Sequence, residues 1–246
     1  MTFYEEFSKY YDFIFPTGEA QVNLIIKHIP ENKRNVLDVA CGTGNYAIAL
    51  AKKNIEVSAV DLDEKMIQET ISKSHENNVH VDANTGDMTA LNEVFPHEKF
   101  GSIFCIGNSL VHLTKLVDME EALRQMYHLL EEEGSLILQI INYDRILKYD
   151  INGLPTIDNK EAGVKFIRRY EPNQRVGLIN FNTELIINDG EAQRVYRNSV
   201  PLYLLQQEQL EGLLRVVGFR DMNFFGSFKE EPYSQEAYAT VVVAKK

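Results

Sequence analysis

The chain has 246 residues, of which 44% are hydrophobic, and a formal net charge of −11 at pH 7. This length and apolar content are sufficient for one α/β domain or two small ones with a sizeable core. The excess of negative charge argues against a nucleic-acid groove, because such grooves depend on clustered Lys and Arg side chains. We therefore predict a globular protein that binds a small molecule and no nucleic acid.

Cysteine usage and the N-terminus bear on cellular location. Cys41 and Cys105 are the only cysteines, and their spacing predicts neither a disulfide framework nor a zinc site. The histidines show no metal-ligand grouping, so we expect no metal. The N-terminal segment MTFYEEFSKYYDFIF lacks the basic start of a signal peptide, and the longest apolar runs have only strand length. We expect a cytoplasmic protein outside the membrane, either a monomer or a homodimer.

In chain order, residues 2–29 read as two helices separated by Pro16–Gly18. From Val36 onward, short apolar runs alternate with amphipathic segments. This alternation predicts βαβ units and a mostly parallel sheet. The predicted strands are 36–39, 55–60, 79–82, 101–106 and 135–141, and the predicted helices are 45–53, 63–76 and 117–131.

The pattern changes after Asn142–Asp144. Between residues 155 and 202, three β-type runs follow one another without a helix, separated by EPNQR and NDG. We interpret them as an antiparallel meander inserted into the α/β domain. A helix at 206–216 and two further β-type runs, GFRDMNFFGSF and EAYATVVVAKK, then complete the sheet as a terminal hairpin. The predicted domains are a core of residues 1–147 and 203–246 and an insertion of residues 148–202.

The segment VLDVACGTGNYA, which begins at Val36, contains a glycine turn after the first predicted strand. Gly42 and Gly44 open a helix, where a bare backbone lets a ligand approach and the helix N-terminus offers unpaired N–H groups. GTGNYA also satisfies the loose dinucleotide-binding pattern, and Asp61 ends the next strand, where a ribose-binding acid belongs. The glycines alone therefore do not distinguish between nucleotide cofactors.

Carboxylates around the turn favour a cationic cofactor. Asp38, within one turn of the glycines, would repel a pyrophosphate but attract the ammonium and sulfonium groups of S-adenosylmethionine. Asp87 follows the third predicted strand, where it can accept a hydrogen bond from an adenine amino group. Asp38, Asp61 and Asp87 thus end three successive strands. The alternative is that they are ordinary helix N-caps or loop acids.

Three segments together resemble the motifs of class I S-adenosylmethionine-dependent methyltransferases. VLDVACGTG is similar to the first motif, VSAVDLDEKMI to the second, and TGDM to the adenine-contacting segment. The resemblance extends over residues 1–143. It implies an α/β, Rossmann-like fold with a seven-stranded, mostly parallel sheet that ends in an antiparallel hairpin. The small antiparallel β insertion would act as a lid.

The resemblance also implies roles for the matching residues. Asp38 lies near the methionine amino group, Asp61 binds both ribose hydroxyls, Leu62 packs on adenine, and Asp87 reads the adenine edge. Ala40 is a departure, because many family members have glycine there, and alanine is tolerated if its φ is negative. The implied cofactor-binding residues are Asp38, Ala40, Cys41, Gly42, Gly44, Asp61, Leu62, Asp87, Met88 and Cys105.

Two further segments supply candidate catalytic residues on the acceptor side. GNSLVHL is similar to a segment of glycine and sarcosine N-methyltransferases, which makes Asn108 and His112 candidates. FSKYYDFIF resembles the F-x-x-x-Y-D helix that closes over the cofactor in small-molecule methyltransferases, and this resemblance places Tyr11 near the methionine moiety. The alternatives are a structural hydrogen-bonding role for His112 and a core aromatic contact for Tyr11.

The insertion resembles, in architecture alone, the lids of nucleotide-aminosugar N-methyltransferases. Its β-type runs are rich in basic residues, so a lid that binds an anionic group of the substrate through Arg168 or Arg197 is one hypothesis. The alternative is that these arginines belong to the solvent side of an antiparallel sheet.

The favoured function is transfer of a methyl group from S-adenosylmethionine to a small molecule, more readily to nitrogen than to oxygen, with S-adenosylhomocysteine as the product. An amine must first lose a proton, either to a base such as His112 or Tyr11 or along a water path. Three alternatives stay open at this point. They are a non-catalytic S-adenosylmethionine-binding protein, an NAD-dependent oxidoreductase and, with the charge against it, an RNA methyltransferase.

Overall fold

The computed structural model describes residues 3–188, 190 and 192–246. Residue 2 of the first predicted helix and Asp189 of the predicted NDG turn lie outside the described residues. The helices of the described part are α1 (Phe3–Ile14), α2 (Glu19–Lys27), α3 (Asn45–Ala51), α4 (Glu64–Glu76), α5 (Leu91–Val94), α6 (Leu116–Leu129), α7 (Tyr143–Lys148) and α8 (Gln207–Val217), with 3₁₀ turns at Met88–Ala90 and Leu110–His112. The strands are β1 (Asn35–Val39), β2 (Glu56–Asp61), β3 (Asp82–Thr85), β4 (Phe100–Cys105), β5 (Leu130–Ile141), β6 (Gly153–Asn159), β7 (Val164–Pro172), β8 (Leu178–Asn188), β9 (Gln193–Tyr203), β10 (Arg220–Phe225) and β11 (Ala239–Lys245).

The central sheet confirms the predicted α/β architecture. Its seven strands follow the order β10-β11-β5-β4-β1-β2-β3. The pairs from β5 to β3 are parallel, whereas β11 is antiparallel to both β5 and β10. β1 and β4 are neighbours although the chain forms β2 and β3 between them. A reversal of this kind opens a crevice at the carboxyl ends of the two strands, which is where open α/β sheets bind their ligands.

Helices cover both faces of the central sheet. In β1, Val36 belongs to a buried cluster with side chains of α2, α3 and α4, and the adjacent Leu37 belongs to a second cluster with side chains of α6 and α8. Because both faces are covered, the inner strands are apolar on both sides rather than alternating. The short apolar runs in the sequence predicted these strands correctly for that reason.

A second, antiparallel sheet follows α7, with the strand order β6-β7-β8-β9. The meander is confirmed, but it has four strands where the sequence predicted three. The additional strand, β6, contains Pro155 and a bulge between Leu154 and Ile157. Proline is tolerated at a sheet edge because no ladder hydrogen bond is lost there, and it obscures the strand pattern in the sequence.

Other differences from the predicted elements have local causes. β3 begins at Asp82, three residues later than expected, because the Val79 N–H still donates to the Ser74 carbonyl at the end of α4 (3.0 Å). The short helices α5 and α7 were not predicted, since four and six residues are too few to show a helical period.

Helix α1 connects the second sheet to the central one. On one side, the Phe7 ring lies 5.3 Å from the Phe166 ring of β7. On the other side, Asp12 accepts hydrogen bonds from Thr43 Oγ1 (2.7 Å) and Asn45 Nδ2 (2.8 Å) and pairs with Lys73 Nζ (2.5 Å). The helix is therefore fixed to the glycine turn by polar contacts and to the second sheet by aromatic ones.

Ala40 corrects one expectation. Alanine is tolerated at this position of the turn if its φ is negative, but Ala40 has a φ of 61°. This left-handed conformation turns the chain out of β1, so that the Cys41 N–H donates a hydrogen bond to the Val60 carbonyl (3.0 Å). An L-residue in this region carries a strain of about 1–2 kcal/mol, which glycine avoids.

We predict that Ala40→Gly stabilises the ligand-free protein. Relief of about 1–2 kcal/mol of strain outweighs the entropic cost of glycine, about 0.5–1 kcal/mol, so the free energy of unfolding rises by up to about 1 kcal/mol. The free energy of unfolding is measured by urea titration. The matched control is Ala49→Gly inside α3, which removes the same methyl group and costs about 1 kcal/mol. Equal destabilisation by both variants would contradict the strain assigned to Ala40.

Candidate active site

Predicted site residues from four strands meet at the carboxyl edge of the central sheet. Asp38 lies near the end of β1, Asp61 ends β2, Asp87 follows β3, and Cys105 ends β4. The sheet order brings these strands side by side, as the sequence predicted. Burial raises the pKa of Cys105 to about 12, and the Asp38 and Asp61 carboxylates contribute to the rise. The site is therefore a concentration of acidic groups.

The glycine turn needs both of its glycines. Gly42 and Gly44 have φ values of 57° and 73°, in the left-handed region. A Cβ at Gly44 would lie 2.5 Å from Thr70 Cγ2, and a Cβ at Gly42 would lie 3.1 Å from the Tyr11 hydroxyl. The turn is thus packed closely between α1 and α4, and larger residues do not fit.

Asp61 links the end of β2 to this turn. Its Oδ2 accepts a hydrogen bond from the Gly42 N–H (2.8 Å), and its Oδ1 accepts one from the Asp63 N–H (3.0 Å). Burial raises the pKa of Asp61, while these backbone donors act in the opposite direction. Each carboxylate oxygen retains further acceptor capacity, so Asp61 can bind a ligand hydroxyl without leaving the turn.

Asp38 is the least satisfied group of the site. Its side chain is only 2% exposed, and its Oδ2 has no hydrogen-bond partner among the described residues. Burial raises the pKa of Asp38 well above its ordinary value, and the nearby Asp61 carboxylate raises it further. A buried carboxylate of this kind is stabilised by an adjacent cation.

Leu62, Asp87 and Met88 form the outer edge beyond Asp61. Leu62 is 72% exposed, an apolar surface beside the buried carboxylates, whereas Met88 packs partly into the core. Asp87 is exposed, and its Oδ1 accepts hydrogen bonds from Thr89 N and Thr89 Oγ1, both at 2.8 Å. Asp87 therefore caps the 3₁₀ turn, as the alternative interpretation proposed. Both of these bonds use the same oxygen.

Tyr11 lies where α1 crosses the glycine turn. Burial raises the pKa of its phenol, and Asp61 and Asp38 raise it further. The ring also stacks within the aromatic cluster of α1, at 5.4 Å from Phe7 and 5.3 Å from Phe15. Tyr11 thus lies near the two carboxylates and also makes the aromatic contact given as the alternative.

Cys41 is a buried thiol beneath the turn. Its Sγ lies 4.0 Å from Thr70 Oγ1. Burial raises the pKa of Cys41 well above its ordinary value, and Asp38 and Asp61 raise it further. The thiolate form required of a nucleophile is disfavoured at neutral pH. Cys41 is therefore a buried packing residue of the turn.

Asn108 is fixed in a strained conformation at the end of β4. It has a φ of 72° and is 8% exposed. Its Nδ2 donates to the Tyr143 hydroxyl (3.1 Å), and its Oδ1 accepts from the Ile141 N–H (2.9 Å). Asn108 therefore holds the carboxyl ends of β4 and β5 together, and its side chain positions Tyr143.

His112 lies in the 3₁₀ turn that β9 packs against. Its side chain is exposed, yet the surrounding protein lowers its pKa by desolvation. Both properties fit a residue on a concave surface, where water reaches the ring although protein surrounds it. The neutral ring that predominates at pH 7 can accept a proton.

The segment Asn142–Asp144 organises the crevice, and sequence reasoning used it only as a boundary. The Asn142 side chain donates to the Ser234 and Ala237 carbonyls (3.0 and 2.9 Å), and Tyr143 is fully buried beside Asn108. Asp144 accepts hydrogen bonds from Gln206 Nε2, the Gln207 N–H and the Tyr233 hydroxyl, each at 2.9 Å. Three consecutive polar residues after a buried strand were the signal for this junction.

The two candidate arginines of the insertion lie on opposite faces of the second sheet. Arg168 shares a face with the buried Phe166 and Tyr170, which is the face turned toward the core. Arg197 lies on the outer face, is 73% exposed and has Glu184 at 3.8 Å. Arg168 is therefore on the face turned toward the core, whereas Arg197 is on the solvent face.

Over residues 3–188, 190 and 192–246, no three His, Cys, Asp or Glu side chains are grouped to hold a metal ion. Within the same ranges, every helix is too short or too polar to cross a membrane.

Comparison with known proteins identifies relatives. A family model described as a methyltransferase domain matches residues 36–134. A glycine/sarcosine N-methyltransferase of Aphanothece halophytica is 29% identical over 233 residues, which cover 93% of this chain and 83% of the relative. A glycine/sarcosine N-methyltransferase of Parasynechococcus marenigrum is 28% identical, covering 91% and 77%.

Solved structures share the fold. An S-adenosylmethionine-dependent methyltransferase from Clostridium acetobutylicum superimposes with a TM-score of 0.81, at 21% identity over 98% of each chain. The sugar N-methyltransferase KedS8 from Streptoalloteichus has a TM-score of 0.74, at 16% identity over 99% of this chain and 92% of its own. These matches agree with the motifs, the sheet order and the glycine turn: residues 36–134 match a methyltransferase domain, and the chain as a whole shares the fold of S-adenosylmethionine-dependent methyltransferases.

Proposed function

We propose that this protein binds S-adenosylmethionine at the carboxyl edge of its central sheet and transfers the methyl group to an amine nitrogen of a small molecule. The observation that carries the proposal is Asp38, a buried carboxylate with an unpartnered oxygen. The ammonium and sulfonium groups of this cofactor would supply the missing positive charge. A dinucleotide pyrophosphate would add further negative charge.

The surrounding residues fit the rest of the cofactor. Asp61 would accept hydrogen bonds from the ribose hydroxyls with its remaining lone pairs. The exposed side chain of Leu62 would cover one face of adenine, and Asp87 would accept from the adenine amino group. The left-handed glycines at 42 and 44 would let the methionine part approach the backbone.

When bound, the cofactor supplies a methyl group on a positively charged sulfur that a nucleophile can displace in line. The contribution of the chain is alignment of the acceptor and exclusion of water. Tyr11, on α1, would cover the methionine part of the cofactor. Strand β9, which packs against Leu110–His112, would cover the acceptor. Asn108 and Tyr143 would lie beneath the cofactor and the acceptor.

The pKa shifts distinguish between the two candidate bases. The pKa of Tyr11 is raised, so the phenol keeps its proton at neutral pH and would act as a hydrogen-bond donor. The pKa of His112 is lowered, so its ring has a free lone pair at neutral pH. We assign the removal of the amine proton to His112, either directly or through water that reaches its exposed ring.

An amine acceptor is supported by the relatives. The curated relatives are named glycine/sarcosine N-methyltransferases, and one structural neighbour is named a sugar N-methyltransferase. Both kinds of acceptor are small molecules with a nucleophilic nitrogen.

The first test is calorimetric titration with S-adenosylmethionine, S-adenosylhomocysteine and NAD. We expect the first two to bind and NAD not to bind. Asp61→Asn keeps an acceptor oxygen for the turn but removes the charge, so both affinities fall by about 10- to 100-fold. The matched control is Glu69→Gln on the exposed face of α4, which leaves both affinities unchanged. Binding of NAD alone would overturn the proposal.

Asp38 also predicts a pH dependence of stability. Its folded pKa is raised above the ordinary 3.8, so the folded protein binds more protons than the unfolded chain and loses stability as pH rises above about 4. Asp38→Asn removes this loss. Between pH 5 and pH 8, urea unfolding of the ligand-free proteins should therefore show the variant gaining stability relative to wild type. If the free energies of unfolding of the two proteins changed with pH in the same way, this result would contradict a raised pKa at Asp38.

His112→Gln tests the proton acceptor. We expect kcat to fall by about 100-fold or more, with the Kd of S-adenosylmethionine unchanged and with loss of the acidic limb of the kcat/KM profile. The control is His128→Gln on the exposed side of α6. An unchanged pH profile in His112→Gln would remove His112 from this role and favour a water path alone.

A further inference from the structure

The inner face of the second sheet carries one polar row between apolar ones. Arg168 of β7 is paired in register with Thr183 of β8, which is paired with Asn198 of β9. The rows on either side are apolar or aromatic, one packing against α1 and the other against the buried core below. The flanking rows are Phe166, Leu185 and Tyr196, and Tyr170, Phe181 and Val200.

Arg168 is a half-buried cation without an acidic partner. Its Nη2 donates to the Pro155 carbonyl (2.7 Å), but its Nε is inaccessible to solvent and has no hydrogen-bond partner among the described residues. Within those residues no carboxylate oxygen lies within 4.0 Å of this guanidinium. Burial accordingly lowers the pKa of Arg168. A guanidinium in this position is complementary to an oxyanion.

Tyr170 presents a second unmatched donor on the same face, two residues along β7. Its ring is 4% exposed and packs against Phe181 at 5.5 Å, while its buried hydroxyl has no partner in the described part of the chain. The two side chains are close enough to interact electrostatically. A buried donor without an acceptor is costly, and two on adjacent same-face positions fit a single acceptor group.

Both side chains line a cleft of about 730 Å³ between the second sheet and α7. Arg145 also lines it, with its guanidinium 4.2 Å from the centre of the Tyr238 ring. The lining contains Arg145, Arg168 and Arg169 against one acid, Glu171, and of these arginines Arg169 is paired with Glu184 (3.0 Å). The cleft is large enough for a small molecule and has an excess of basic over acidic side chains.

We infer that Arg168 and Tyr170 bind an oxyanion group of the methyl acceptor, so that the acceptor is an amine that also carries a carboxylate or a phosphate. This inference rests on the proposed function, because it describes the acceptor of that reaction. Arg168 and Tyr170 are specificity-determining residues, and the inner face of the second sheet is the part of the insertion that selects the acceptor. Arg197, on the outer face, has no part in this selection.

Oxyanion binding is tested without knowledge of the acceptor. Melting temperatures are measured in phosphate, in acetate and in chloride at equal ionic strength, and the values in phosphate and acetate are compared with the value in chloride. The series is repeated with S-adenosylhomocysteine. Wild type should gain stability with an oxyanion, whereas Arg168→Gln and Tyr170→Phe should lose at least half of that gain. Tyr170→Phe removes only an unpartnered hydroxyl, so we expect its fold to remain intact.

The matched control is Lys165→Gln, which removes a cation from the outer face of the same strand, where Lys165 pairs with Asp158 (3.2 Å). This variant should respond to oxyanions as wild type does. An equal response of all four proteins would show a general salt effect and overturn the inference.

The second test of the inference compares methyl acceptors. β-Alanine, phosphoethanolamine and ethanolamine are compared as acceptors, and we expect one anionic amine to exceed the neutral one by about tenfold or more in kcat/KM. Which of the two is preferred distinguishes carboxylate from phosphate. Arg168→Gln should raise the KM of that amine and change kcat little.

The outcomes separate this inference from the proposed function. Methylation that favours ethanolamine would overturn the inference and leave the proposed function standing. Failure to bind S-adenosylmethionine would remove the proposed function, and the oxyanion response without cofactor would still report on Arg168 and Tyr170. If none of the three amines is methylated, the melting-temperature arm decides alone.

Discussion

The burial of the Asp38 carboxylate is the constraint on which the rest of the site depends. A carboxylate that is 2% exposed and lacks a partner at Oδ2 costs free energy in the ligand-free protein, and the nearby Asp61 increases that cost. Hydrophobic burial elsewhere in the sheet offsets it. The strain at Ala40 adds to the same local cost. The fold thus maintains a site that is less stable empty than filled, and a cation is the ligand that would reverse this.

The candidate site and the second sheet are connected through one helix. The central sheet carries the acidic residues, and α1 joins the second sheet to it. Helix α1 has contacts with both, through Asp12 on the glycine turn and Phe7 on the second sheet. Alignment of two reactants requires such a closed and rigid surrounding, since most of the rate advantage in a direct displacement comes from orientation and exclusion of water.

Much of this arrangement could be predicted from the sequence, because the strands at the candidate site are short apolar runs followed by acidic residues. The order of Asp38, Asp61 and Asp87 was predictable, since parallel strands place their carboxyl ends at one edge. What sequence could not provide was contact between distant segments. The left-handed φ of Ala40 depends on the return of the chain to β2. The alternation of residues along β7 and β9 predicted which side chains share a face of the sheet. Only the burial of these side chains in the structure showed that Arg168 faces the core and Arg197 faces solvent.

Asp144 gives the molecule a modular construction. The second sheet leaves the core after α7 and returns at α8, and one carboxylate holds both junctions, since Asp144 lies in α7 and binds Gln206 and Gln207 at the start of α8. The two ends of a long excursion are therefore joined at a single point on the core. An insertion attached in this way can change in sequence, length or shape while the core remains the same. If the second sheet selects the acceptor, as inferred above, acceptor choice can then evolve separately from the core.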